Sequence, residues 1–152
     1  MGSSAYPTKL DPTARVDGRA GWHRGAMAAL AGAAVVFCDP DNGIVDQPSA
    51  SRLHKYPLIS ELRDYAQRQQ SVIAYHHHDR SAPAADHARK HLDQLATGVQ
   101  QTPIGAIIAH RGTCRFFLMT AATAHIQTLT TAVDAFSSKW SAHVELILPA
   151  TR

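Results

Sequence analysis

The chain has 152 residues and a mass of 16.4 kDa, the size of one ordinary domain, enough to bury roughly 70 % of the surface its unfolded form exposes. At 45 % hydrophobic and 18 % charged it is globular in composition, and no stretch reaches the ~20 apolar residues of a membrane span or resembles a secretion signal; a membrane protein is excluded and the cytoplasm is expected. A formal charge of +3 is too mild to announce nucleic acid, and Cys38 and Cys114 supply neither a disulfide framework nor a cysteine zinc site, while ten histidines make the charge depend on pH.

Residues 1–17 lack apolar periodicity and read as a flexible N-terminal arm lying on the surface or on a partner, and 18–152 as a single domain. A helix is expected over 18–31, with Trp22, Ala26, Met27 and Leu30 at helical spacing. The apolar run 33–38 between Gly32 and Asp39 reads as a buried strand, central and parallel in its sheet. Pro57 opens a second helix with Leu58, Ile59, Leu62, Tyr65 and Ala66 on one face, and 71–75 is a second short strand. A third helix is expected over 84–99, with Ala85, Ala88, Leu92, Leu95 and Val99 inward. Strands 104–110 and 113–119 form a hairpin about Arg111-Gly112. A last helix carries Ile126, Leu129, Val133, Phe136 and Trp140, and 142–148 closes the order as a strand. The expected fold is α/β: a Rossmann-like three-layer sheet, partly parallel with a C-terminal hairpin, about five strands and four helices.

In such a sheet ligands gather where the parallel strands end, and two of those ends are polar. Asp39-Pro40-Asp41-Asn42-Gly43 follows the first strand, and His76-His77-His78-Asp79-Arg80 the second. Neighbouring strands would bring both loops into one crevice. The candidate catalytic residues are therefore Asp39, Asp41, Asn42 and His76; Pro40, Lys55, Tyr75, His77, Arg80 and Arg111 are candidates for binding substrate. The Asp-Pro-Asp-Asn-Gly run is equally good as a plain turn. His76 and His78, alternating on an extended segment, point the same way and suit a metal together with Asp39 and Asp41, although no second ligand motif is present and no residue is assigned to a metal. His87 and His91, flanked by Arg89 and Lys90, read as a solvated helix face; Cys38 reads as a buried small hydrophobe.

Residues 35–44, with Lys55-Tyr56, Glu61-Leu62, the segment from Ser71 to His77 and Arg111-Gly112-Thr113-Cys114-Arg115, together resemble an uncharacterised bacterial and phage-associated family marked by Asp-Pro-Asp-Asn-Gly. That family is similar to the C-terminal half of Rossmann-type methyltransferases that use S-adenosylmethionine, in which an Asp-Pro-Pro-aromatic motif holds the target amino group. The resemblance places Asp39 and Pro40 on the first two positions, while Asp41 and Asn42 differ from the last two. It implies a reduced group-transfer or nucleic-acid-modifying domain in which Asp39 and Asn42 position a substrate amino group. No glycine-rich cofactor loop follows a first strand, so the cofactor stays unassigned and S-adenosylmethionine is expected to bind weakly or not at all. A metal-dependent hydrolase of phosphodiesters and a non-catalytic binding or oligomerising module remain the alternatives. A sheet of five strands leaves edges to cover, so a homo-oligomer is expected, with a small molecule or nucleic acid as further partner.

Overall fold

The computed structural model describes residues 3–11, 13, 16–46, 54–79, 81–110 and 113–150. Helices and strands follow one another as α1 (Val16–Ala29), β1 (Val35–Cys38), α2 (Ile59–Gln67), β2 (Ser71–His77), α3 (Ala84–Val99), β3 (Thr102–Ala109), β4 (Arg115–Ala121), α4 (Ile126–Lys139) and β5 (Val144–Ile147). The strands form one mixed α/β sheet in the order β1-β2-β4-β3-β5. Only β1 and β2 are parallel, paired from Val35 opposite Ser71 to Cys38 opposite Ala74; the other pairs are antiparallel. The turn joining β3 to β4, with Arg111, lies outside the described residues.

Helical spacing on α3 puts Ala88, Leu92, Leu95 and Val99 in one stripe, which packs with Leu62 of α2 on Phe116, Leu118, Ala106 and Ile108. Helix α4 covers the opposite face, where Val133 meets Ile104, Ile107, Met119 and Ala121. Its stripe is less buried than its periodicity suggests, since Phe136 and Trp140 stay exposed. Helix α1 is tied to α2 by a two-pronged ion pair, Arg19 Nε and Nη2 donating to Glu61 at 2.7 and 2.6 Å, and Glu61 also accepts the Leu58 N–H at the start of α2.

Strand β1 is an edge strand, not a central one. Val36 and Cys38 face the core shared with α2, whereas Val35 and Phe37 on the other face are 37 % and 53 % exposed. A short apolar run reads the same whether one face or both are covered, which is why its pattern misplaces it. The arm lies against its own chain: Trp22 Nε1 donates to the Thr8 carbonyl at 2.6 Å, and the Tyr6 ring meets the Trp22 ring edge-on. No helix among the described residues is long and apolar enough to cross a membrane.

Candidate functional site

Because β1 and β2 are parallel neighbours, the Asp39–Gly43 loop and the polar end of β2 lie at the same end of the sheet. Gly43 makes the join. Its φ of +93° is one that side chains rarely adopt, and a Cβ there would overlap the His76 ring. With the backbone that close, the Ile44 N–H donates to His76 Nδ1 at 3.2 Å, and the Asn42 N–H donates to the Lys55 carbonyl at 3.2 Å.

The pleat then divides the candidates. His76 turns toward α3, stacked on Phe116, while Tyr75 and His77 turn to the other face, where Tyr75 sits edge-on to His77 and Phe117. His77 is therefore not a neighbour of His76 in one pocket, and Tyr75 is buried. His78 shares the His76 side, as its alternation requires: both rings approach His87. Arg80 lies outside the described residues. Asp39 and Asp41 are exposed, and no contact joins either to an imidazole among the described residues, so the predicted set of Asp39, Asp41, His76 and His78 is not one cluster.

Two separate features, a groove and a histidine cluster, stand where one crevice was expected. The first is a groove of about 1050 Å³ along the free edge of β1, bordered by Tyr6, Trp22, Phe37, Cys38 and Tyr65 and reaching Asp39. Burial, reinforced by Glu61 and Asp39, pushes the Cys38 thiol up to about 12, so it serves as wall and not as nucleophile.

The second is a histidine cluster between β2 and α3. His87 is 3 % exposed and His91 half-buried, against the solvated face expected for them. Burial first, then the neighbouring His91 and His87, push His76 down to about 3, and burial lowers His87 and His91 as well. Hydrogen bonds from Ser81 pull the Asp79 carboxylate down to about 2. His76, His87 and His91 each offer a ligand atom within 4.8 Å of the other two. Helical spacing alone could have found the pair, since 84, 87, 88, 91, 92 and 95 make one broad inward stripe.

Comparison with protein-family models, with curated proteins and with solved structures finds no match for this chain, so the reading of both sites rests on their geometry.

Proposed function

We propose that the groove beside β1 binds a planar heterocycle bearing an amino group, a nucleobase free or within a single strand, and presents that group to Asp39. The observation that carries this reading is the groove itself, with the aromatic residues Tyr6, Trp22 and Tyr65 along it and Asp39 at its end. Rings supply faces on which any base stacks, and a carboxylate accepts hydrogen bonds from an amino group and repels a carbonyl at the same position. Pro40 fixes the direction in which the chain leaves Asp39, and the buried Gly43 anchors the loop on His76. Such a site matches the amino-group-positioning role that the methyltransferase resemblance gives Asp39. The free β1 edge, with Val35 and Phe37 exposed, further supports a homo-oligomer, against which a monomer by light scattering at micromolar concentration would count.

Trp22 in the groove wall supplies the readout. In a Trp140→Phe background, adenosine and cytidine should change Trp22 fluorescence saturably, while uridine, with a carbonyl in place of the amino group, should bind more weakly. Asp39→Ala should weaken adenosine binding by about tenfold or more, the worth of a charge-assisted hydrogen bond. Equal responses to cytidine and uridine, or no effect of Asp39→Ala, would contradict the proposal.

A further inference from the structure

His87 and His91 stand four residues apart on α3, so their rings leave the helix on one face. Hydrogen bonding fixes where their protons sit. Gln94 Nε2 donates to Asp46 at 2.9 Å, which leaves Gln94 Oε1 to accept from His91 Nδ1 at 2.9 Å. His91 thus keeps its proton on Nδ1 and presents a lone pair at Nε2. His87 Nε2 lies 2.7 Å from that lone pair and must carry the bridging proton. The consequence falls on His87 Nδ1, which is buried, has no hydrogen-bond partner among the described residues and stands 3.5 Å from Asp79 Oδ1. A bare nitrogen lone pair faces a carboxylate there. A cation in place of the bridging proton relieves the conflict while leaving the ring neutral.

We infer that His87 and His91 hold a divalent transition ion of the zinc class through their Nε2 atoms, with His76 on the third side. The His87 proton then stands on Nδ1, facing Asp79, and the His91–Gln94–Asp46 chain is unchanged. Asp79 behind His87 and Gln94 behind His91 are the oxygen acceptors that set tautomer and ring orientation in metal sites. Two imidazoles on a tetrahedral ion hold their nitrogens about 3.3 Å apart, so these rings open by about 0.6 Å. The His76 ring lies 3.9 Å from that of His91, centroid to centroid, and joins the ion by releasing the Ile44 N–H. Nitrogen donors favour zinc, cobalt, nickel or copper over magnesium or calcium. This site is separate from the groove beside Asp39, and either can exist without the other.

The test uses the full chain without an affinity tag, stripped by chelator, titrated with Zn²⁺ by calorimetry and with Co²⁺ by visible absorption. One ion per chain is expected, with Kd below about 10 µM. His91→Ala should weaken binding by about 100-fold or more, and Gln94→Leu, which leaves every ligand in place, by about tenfold. Side-chain nitrogen NMR on the unsubstituted protein gives a readout that needs no variant to fold: zinc should move the His87 proton from Nε2 to Nδ1. Kd weaker than about 10 µM, unchanged affinity in a folded His91→Ala, or bound zinc with the His87 tautomer unaltered would each overturn the site.

Discussion

His76 shows how one residue is set by its surroundings. Its ring is wedged between the Gly43 backbone and the rings of His91 and Phe116, and the Ile44 N–H holds Nδ1 as an acceptor. The folded chain therefore keeps it neutral, with its pKa pushed down to about 3 from the ordinary value of 6.5. Between those values the unfolded chain binds a proton that the fold refuses. Stability is thus fully present above pH ~6.5 and falls as the pH drops toward 3, by at most about 5 kcal/mol from this residue. His87 and His91, also lowered, act in the same direction. Urea unfolding of metal-free protein should show a falling midpoint from pH 7 to 4.5, less steep in His76→Asn. A midpoint flat over that range, or a slope that His76→Asn leaves unchanged, would contradict this account.

At the scale of elements, α3 carries both the core and the histidines. Leu92, fully buried, lies in the stripe against the sheet, and Leu92→Ala should cost about 2–5 kcal/mol by chemical unfolding with little effect on nucleoside binding in the groove. A cost under about 1 kcal/mol would mean that α3 is less firmly packed than its burial indicates. The limits of this helix are legible in the sequence because Pro83 precedes it and its apolar spacing is regular to Val99. The same spacing also places His87 and His91 on the inward stripe, a signal that Arg89 and Lys90 mask when a face is judged by its neighbours. The two basic residues occupy the outer side of the same turns. Strand β1 presents the reverse case: its apolar run is correctly a strand, but sequence cannot tell that Val35 and Phe37 have no layer over them.

For the molecule as a whole, the parallel pairing of β1 with β2 follows from a helix connecting two short apolar strands, and it places both polar loops at one end of the sheet. That much of the candidate site could be read from residues alone. The division into a groove and a histidine cluster could not, since it depends on the pleat sending His76 and His77 to opposite faces and on the arm folding back to place Tyr6 on Trp22. The proposed binding site is the groove ending at Asp39. Its most direct test is the set of backbone and indole NMR shifts on adding adenosine. Binding there predicts changes at the Trp22 indole and along β1 to Asp39, with α4 undisturbed; shifts confined to other surfaces, or none at millimolar adenosine, would contradict it.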